Sequence, residues 1–220
     1  SSLRAELLSR GISKPVCTIL TQVTVDPYDE AFYAPSKVIG RYMSAEDAQA
    51  EIKKGNYVQE EPGKGFRRVV ATPKPIDIVE IDSIRTLYDA GQVVIACGGG
   101  GIPVIKQDDA LRGASAVIEK DNIAGKLASE LNVDQLLILT GVPCVYSGFM
   151  TENKKALAHL SVAEANELMN KGEFGEGTMK PKIEAAIAFL SSRPKADVMI
   201  TSIDALDDAL AGHAGTIISV

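Results

Sequence analysis

Residues 93–101 run Val-Val-Ile-Ala-Cys-Gly-Gly-Gly-Gly, an apolar segment that passes directly into four consecutive glycines. The β-branched run predicts a strand covered on both faces, because apolar residues do not alternate with polar ones. A second such run, Leu136–Leu139, ends at Thr140-Gly141, and amphipathic helical segments alternate with these strands. The alternation predicts an α/β protein with a mainly parallel sheet. In such sheets ligands bind where the carboxyl ends of strands meet the amino ends of helices.

The glycine run itself, Gly98, Gly99, Gly100 and Gly101, predicts an anion-binding loop. Glycines leave backbone amides uncovered, which allows a phosphate or carboxylate to approach closely. The loop is not a Walker A loop, since no GxxxxGK[ST] is present, and Pro103 departs from the dinucleotide-binding fingerprint. The alternative is a tight turn with unusual dihedral angles. Because four glycines cost more chain entropy than one turn requires, we favour the ligand-binding interpretation.

The composition places the chain among globular proteins and excludes several classes of function. It has 220 residues, a net charge of −6 and 45% hydrophobic residues, which excludes a disordered chain. With no Trp and no basic field, a nucleic-acid polymer is not an expected partner. No apolar run reaches the length of a membrane span. Three scattered cysteines and two histidines predict buried thiols in a reducing compartment and no zinc site.

Local signals predict the order of elements. The run 16–25 predicts one strand, and the spacing of apolar residues in 76–90 predicts one helix. Between them, about 26–74 is a polar excursion rich in Pro and Gly, in which Ser44 with Asp47 predicts a capped helix and 56–75 a hairpin or loop. Ser161 with Glu164 predicts a second capped helix.

A second candidate anion site lies at the start of a predicted helix over 178–191. Thr178 is the expected N-cap, and Pro181 is tolerated only in the first turn. Lys180 and Lys182 then lie at the positive end of the helix dipole, which is unfavourable unless a negative group offsets them. Both lysines could instead point into water at a cost of a few tenths of a kcal/mol. The combination of glycines, cap and lysines favours a phosphate site.

The segment Val117-Ile118-Glu119-Lys120-Asp121 precedes another predicted helix. Asp121 is a candidate N-cap, and the sharper hypothesis is that it holds a lysine ammonium while Lys120 faces the same anion as Lys182. Two lysines around a phosphoryl group neutralise charge that develops in the transition state. Sequence spacing alone does not bring these residues together. Lys37, by contrast, carries no local signal and is by default a solvated surface lysine.

The order of these segments resembles that of the carbamate kinases, a branch of the amino acid kinase superfamily. The resemblance covers nearly the whole chain and rests on the following pieces: Leu20-Thr21-Gln22-Val23, Val25-Asp26-Pro27, Asp29-Glu30-Ala31-Phe32, Pro35-Ser36-Lys37, Ile39-Gly40, Gly63-Lys64-Gly65-Phe66-Arg67, Pro73-Lys74-Pro75-Ile76, 97–104, 117–121, Leu137-Ile138-Leu139-Thr140-Gly141-Val142, 177–186 and Thr201-Ser202. Single pieces are weak, but the set in this order is highly specific.

The resemblance implies a three-layer αβα sandwich with a mainly parallel central sheet and a small protruding subdomain. It implies reversible phosphoryl transfer between carbamoyl phosphate with ADP and carbamate with ATP, with Mg²⁺ held chiefly by nucleotide phosphates, in a cytoplasmic homodimer of arginine catabolism. The implied domains are 1–25, the end of a substrate-side domain; 26–74, the subdomain; and 75–220, the nucleotide-binding part.

The resemblance also assigns roles to residues. The implied catalytic residues are Lys120, Lys182 and Asp121. The implied substrate-binding residues are Lys37, Gly98, Gly99, Gly100 and Gly101, and the implied nucleotide-binding residues are Thr140, Gly141, Val142, Tyr146, Gly177, Thr178 and Met179.

Four departures from the family are visible. Glu119 stands where Asp is commoner, Phe66 where Trp is common, and Ala71-Thr72 where Pro-Ser is usual. The larger departure is that the family opens with a strand, a Gly-Gly-Asn phosphate loop and a Gly-Asn-Gly-Pro segment, none of which occurs here. Because Ser1 begins inside a predicted helix, we expect a fragment, a nicked product or an incomplete sequence.

Two alternatives to an active carbamate kinase therefore stay open. One is a catalytically incomplete nucleotide-binding or dimerisation fragment. The other is a different amino acid kinase, which forms another acylphosphate or phosphorylates UMP. Lys37 and the segment Gly63–Arg67 favour carbamate over those relatives.

Overall fold

A computed structural model describes residues 2–149 and 151–220. The chain divides into two compact units, the first ending at Lys120 and the second running from Asp121 to Val220. Ser1, at which the first predicted domain begins, lies outside the described residues. The division predicted at 25/26 and 74/75 separates parts of the chain by their expected roles in substrate and nucleotide binding. It stays a prediction.

The first unit consists mainly of strands. Its elements are α1 (Ser2–Ser9), β1 (Val16–Thr18), β2 (Gln22–Val25), β3 (Lys37–Met43), α2 (Ala45–Lys53), β4 (Tyr57–Glu61), β5 (Gly65–Val70), β6 (Pro75–Ile78), α3 (Ile81–Asp89), β7 (Val93–Ile95), β8 (Ile102–Gln107) and β9 (Ala110–Gly113), with 3₁₀ turns at Glu30–Phe32 and Gly98–Gly100. The strands form three sheets, in the orders β1-β7, β6-β2-β8-β9 and β3-β5-β4. β1 pairs with β7 and β2 with β8 in parallel, which is the pairing expected of an α/β protein.

The second unit packs helices against a four-stranded sheet. Its elements are α4 (Lys120–Glu130, of which Lys120 is the last residue of the first unit), β10 (Gln135–Thr140), β11 (Val145–Ser147), β12 (Lys155–Leu157), β13 (His159–Ser161), α5 (Val162–Asn170), α6 (Lys180–Ser192), β14 (Asp197–Ser202), α7 (Leu206–Leu210) and β15 (Thr216–Ser219). The sheet order is β10-β14-β15-β13, with β10–β14 and β13–β15 parallel and β14–β15 antiparallel. Phe189 and Leu190 of α6 are fully buried in one apolar cluster with Val198 and Ile200 of β14. These pairings confirm the α/β class.

Two helices begin where the capping signals place them. The Ser44 side chain accepts a hydrogen bond from the Asp47 amide at the start of α2. At the start of α5, Ser161 and Glu164 form a reciprocal capping box, and the bonds from Ser161 lower the pKa of the Glu164 carboxyl. These signals are local, so the sequence is sufficient to predict them.

Three local predictions were wrong. Residues 16–25 form two strands in different sheets, separated by residues 19–21, which are not in a strand. β1 pairs with β7, whereas β2 pairs with β6 and β8. In 76–90, the first residues form β6, which pairs with β2, and the helix begins only at Ile81. The three cysteines are thiols, but Cys97 alone among them is buried, whereas Cys17 and Cys144 are half-buried.

In the part of the chain that the structure describes, no helix combines the length and hydropathy that crossing a bilayer requires.

Candidate functional site

A buried ion pair lies at the start of two helices in the second unit. The Lys182 Nζ donates to the Asp121 Oδ2 at 2.9 Å, and both side chains are only 9% exposed. The same ammonium donates to the Thr178 carbonyl at 3.3 Å. Asp121 lies in the first turn of α4 and Lys182 in the first turn of α6. The carboxylate is therefore the negative group that offsets a lysine at the positive end of the α6 dipole.

The start of α6 differs from the prediction at its cap. The helix begins at Lys180, its N-cap is Met179, and no side chain caps it. Thr178 is not the N-cap, because the helix begins two residues after it; its hydroxyl donates to the Gly175 carbonyl at 3.0 Å. Lys180 bonds to Glu176 at 2.7 Å, and this bond raises the pKa of Lys180. The two lysines thus differ: Lys180 pairs with an exposed carboxylate, and Lys182 with a buried one.

A close approach of α4 and α6 explains how Asp121 meets Lys182. A Cβ at Gly125 would lie 2.9 Å from the Ala185 carbonyl oxygen, so only glycine fits between the two helices there. Gly125 is one turn after Asp121, and Ala185 is three residues after Lys182. The crossing therefore brings the first turns of both helices together.

We expect Gly125→Ala to destabilise the protein by up to about 2 kcal/mol. In an ordinary helix this change stabilises by about 1 kcal/mol, but here the helices must separate, and overpacking costs about 1–3 kcal/mol. Urea denaturation with the free energy of unfolding as the readout measures the effect. A gain in stability would contradict the close approach.

The glycine loop of the first unit is a tight turn with positive φ angles. Gly99, Gly100 and Gly101 have φ values of 68°, 104° and 84°, and Cys97 before them is left-handed at φ 54°. The amides of Gly100 and Gly101 donate to the carbonyls of Cys97 and Gly98, so the loop itself uses two of its four glycine amides. Unusual dihedral angles are therefore part of the reason for these glycines. The glycine amides that the loop leaves for an anion are those of the exposed residues Gly98 and Gly99.

Lys37, which had no local signal, is not a solvated surface lysine. It is the first residue of β3, and its Nζ donates to the Glu119 Oε2 at 2.6 Å, with the two side chains 34% and 17% exposed. Glu119 had no role predicted from the sequence, although it directly precedes Lys120 and Asp121. Glu119, Lys120 and Asp121 are consecutive, and the outer two hold Lys37 and Lys182 respectively. Lys120 between them is exposed.

The predicted nucleotide-binding residues all lie in the second unit. Thr140 ends β10 and is followed by Gly141 and Val142, while Gly177, Thr178 and Met179 precede α6. Tyr146 lies in β11, where a hydrogen bond with the Cys144 side chain raises the pKa of its phenol.

Tyr146 has two neighbours that were not predicted from the sequence, Lys154 and Phe149. The Lys154 Nζ lies 4.1 Å from the centre of the Tyr146 ring and 4.6 Å from that of Phe149. The two rings are 5.9 Å apart. Aromatic residues are few in this chain, so the spacing of Phe149 three residues after Tyr146 could have indicated that the two rings are neighbours.

A cavity of about 440 Å³ also lies in the second unit. None of the predicted site residues lines it; its walls include Cys144, His159, Met199, Leu210, His213 and Ile217.

The chain matches the model of the amino acid kinase family over residues 16–202. It is 48% identical over 218 residues to carbamate kinase 3 of Staphylococcus aureus, covering 99% of this chain and 71% of that protein. The carbamate kinase-like protein YqeA of Escherichia coli is 47% identical over 218 residues, covering 99% of this chain and 70% of that protein.

A solved structure with a similar fold is the carbamate kinase of Giardia lamblia bound to AMP-PNP. The TM-score is 0.90 at 34% sequence identity, and the match covers 99% of this chain and 69% of that one. The similarity extends over the whole chain here, so both units have counterparts in that enzyme.

Proposed function

Since the chain belongs to the amino acid kinase family and is a kinase, we propose that it is a carbamate kinase, transferring a phosphoryl group between carbamoyl phosphate and ADP. The observation that carries this proposal is the buried pair of Lys182 and Asp121 at the amino ends of α6 and α4. A fixed ammonium at a helix amino end is suited to a phosphoryl group, whose charge spreads over its oxygens during transfer. The names of the relatives support carbamate as the second substrate.

The proposed chemistry requires no covalent intermediate with the protein. In the direction of ATP synthesis, a terminal phosphate oxygen of ADP attacks phosphorus. The bond between phosphorus and the carbamate oxygen breaks, and carbamate leaves with that electron pair. We propose that the Lys182 ammonium stabilises the negative charge of the transferring group, that Asp121 keeps this ammonium in place, and that Lys120 adds a second positive charge.

The substrate-side role falls to the first unit. We propose that Lys37 binds carbamoyl phosphate, within a protruding subdomain over 26–74, and that the exposed Gly98 and Gly99 of the loop Gly98–Gly101 offer amides to an anion. An ammonium already bound to a carboxylate at 2.6 Å has its position restricted before substrate arrives.

The nucleotide-side role falls to the second unit. We propose that ADP or ATP contacts the residues around the end of β10, in β11 and before α6, namely Thr140, Gly141, Val142, Tyr146, Gly177, Thr178 and Met179. The AMP-PNP bound to the Giardia relative supports a nucleotide site in the family.

Mg²⁺ belongs to this proposal as a partner of the nucleotide. Among residues 2–149 and 151–220, no group of three or more His, Cys, Asp or Glu side chains is arranged to hold a metal ion. We propose that the ion is held mainly by phosphate oxygens of the nucleotide, which is usual for Mg²⁺. When bound, the ion would neutralise phosphate charge. A homodimer in the cytoplasm, acting in arginine catabolism, completes the proposal and rests on the family resemblance.

The test is ATP synthesis by the purified chain from carbamoyl phosphate and ADP, followed with a coupled assay, together with its intact mass. We expect ATP to form from ADP with carbamoyl phosphate and not with acetyl phosphate, and we expect no UDP to form from UMP and ATP. A chain of 23.3 kDa that binds ADP and forms no ATP would contradict an active carbamate kinase. Turnover of UMP would favour another amino acid kinase.

Replacing Lys37 by alanine should affect the KM for carbamoyl phosphate more than the KM for ADP. We expect the KM for carbamoyl phosphate to rise by at least about tenfold, because a charge-assisted contact to an anion is lost, while the KM for ADP changes less than about twofold. Steady-state kinetics with each substrate varied in turn measures both. Equal increases would indicate general misfolding and would argue against a substrate role for Lys37.

A further inference from the structure

The carboxylate of Glu119 has no role in the proposed reaction, although it forms an ion pair with Lys37. It accepts a bond from the Lys37 ammonium at 2.6 Å, across 82 positions of sequence. Its side chain is 17% exposed, half the exposure of its partner. An ion pair of this kind differs from the exposed i,i+4 pairs of the chain, such as Lys171 with Glu167, whose side chains are 59% and 66% exposed.

The backbone around Glu119 is fixed by two neighbouring segments of the first unit. Ala71, which follows β5, bridges to Ala116 in parallel, and the Val117 amide donates to the Ala71 carbonyl at 2.9 Å. Ile118 is 1% exposed. A Cβ at Gly100 would lie 2.3 Å from the Ile118 carbonyl oxygen, so the glycine loop packs directly on this segment.

Lys37 is connected to the same framework. It pairs with Val70 in the β3–β5 ladder, and Val70 precedes the residue that bridges to Ala116. The backbone on both sides of the ion pair is therefore hydrogen-bonded to one strand end. These backbone bonds do not fix the lysine side chain itself, whose flexible four-carbon stem can adopt many rotamers.

We propose that Glu119 is a positioning residue for carbamoyl phosphate binding, which acts by holding the Lys37 ammonium in one place. The inference rests on the proposed function, because it assigns a role toward the same substrate. Direct contact of Glu119 with the substrate is disfavoured, since a carboxylate repels phosphate. Its effect therefore passes through Lys37. The lysine side chain loses its conformational freedom when the protein folds, so this entropy is not lost again when the substrate binds.

A double-mutant cycle with Glu119→Gln and Lys37→Ala tests this role. Glutamine keeps the length and hydrogen-bonding capacity of the side chain and removes its charge. We expect Glu119→Gln to raise the KM for carbamoyl phosphate about fivefold to tenfold, a coupling typical of residues in contact, with kcat and the KM for ADP changed less than about twofold. In the Lys37→Ala background the same change should have no further effect.

The conservative variant and a matched control complete the design. Glu119→Asp, which restores the charge, should recover most of the affinity for carbamoyl phosphate. Glu167→Gln removes the carboxylate of an equally short but exposed pair and should leave all three constants unchanged. Together these variants separate the position of the charge from the mere number of charges.

Several outcomes would overturn the inference. An unchanged or lower KM for carbamoyl phosphate in Glu119→Gln would show that the carboxylate is idle or competes with the substrate for Lys37. Additive losses in the double variant would show that Glu119 acts independently of Lys37. A parallel rise in the KM for ADP would indicate a structural defect. If the unsubstituted chain forms no ATP, the proposed function itself fails, and this inference fails with it.

Discussion

Replacing Lys182 by methionine is expected to lower kcat by two to three orders of magnitude in the synthesis of ATP from carbamoyl phosphate and ADP. Methionine is an unbranched side chain without the positive charge. Removing one preorganised group that stabilises transition-state charge typically costs a factor of about 10²–10³. Steady-state kinetics at saturating concentrations of both substrates measures the loss.

The substitution also leaves Asp121 without its partner in a buried position. Both side chains are 9% exposed, and an unpaired buried charge costs about 3–5 kcal/mol. The variant Asp121→Asn/Lys182→Met removes this penalty, so it should regain stability without regaining turnover. Thermal unfolding distinguishes the two effects.

Lys180→Met is the matched control for this prediction. Lys180 lies two positions earlier in the same helix, and its partner Glu176 is 82% exposed. We expect its turnover to remain within about twofold. If Lys180→Met and Lys182→Met reduce kcat equally, the loss belongs to the start of α6 as a whole, and the specific role of Lys182 is refuted.

Gly100→Ala is expected to lower the free energy of unfolding by about 3 kcal/mol or more. Two costs add at this position. A non-glycine residue in the left-handed region is strained by about 1–2 kcal/mol, and Gly100 has φ 104°. The new Cβ would also lie 2.3 Å from the Ile118 backbone oxygen, which cannot move without shifting the segment that carries Glu119.

Differential scanning calorimetry should show a fall in Tm of about 6–12 °C for a chain of this size. Gly113→Ala serves as the control, because nothing lies within 4 Å of its added Cβ and its φ is not positive. We expect that variant to remain within about 1 kcal/mol of the parent. Equal stability of the two variants would contradict the close packing of the glycine loop on Ile118.

The sequence was sufficient to predict those features that depend on interactions between residues close together in the chain. Ser44 and Ser161 cap their helices as expected, because the capping bonds join residues three apart. A lysine at the positive end of the α6 dipole predicted a negative group near Lys182, and Asp121 is such a group. Thr178 was misjudged as a cap because residues 175–178 form a turn before the helix, which begins only at Lys180.

What could not be predicted depends on distant strands and partners. The strand β6 was taken for the start of a helix, since its pairing with β2 lies some 50 residues away in sequence. Lys37 had no local distinction, because the residue that defines its environment is Glu119, 82 positions later. In both cases tertiary pairing decides a conformation or an environment that local propensity leaves open.

The tripeptide Glu119-Lys120-Asp121 places two ion pairs in strict succession, and this spacing constrains how the protein can vary in evolution. Substitutions can test each acid separately, but the insertion or deletion of one residue between 118 and 122 would shift one acid relative to its lysine. Surface loops usually tolerate changes in length far better than this. In a library of single-residue deletions, we expect this junction to be depleted as strongly as the apolar core, although Lys120 at its centre is exposed.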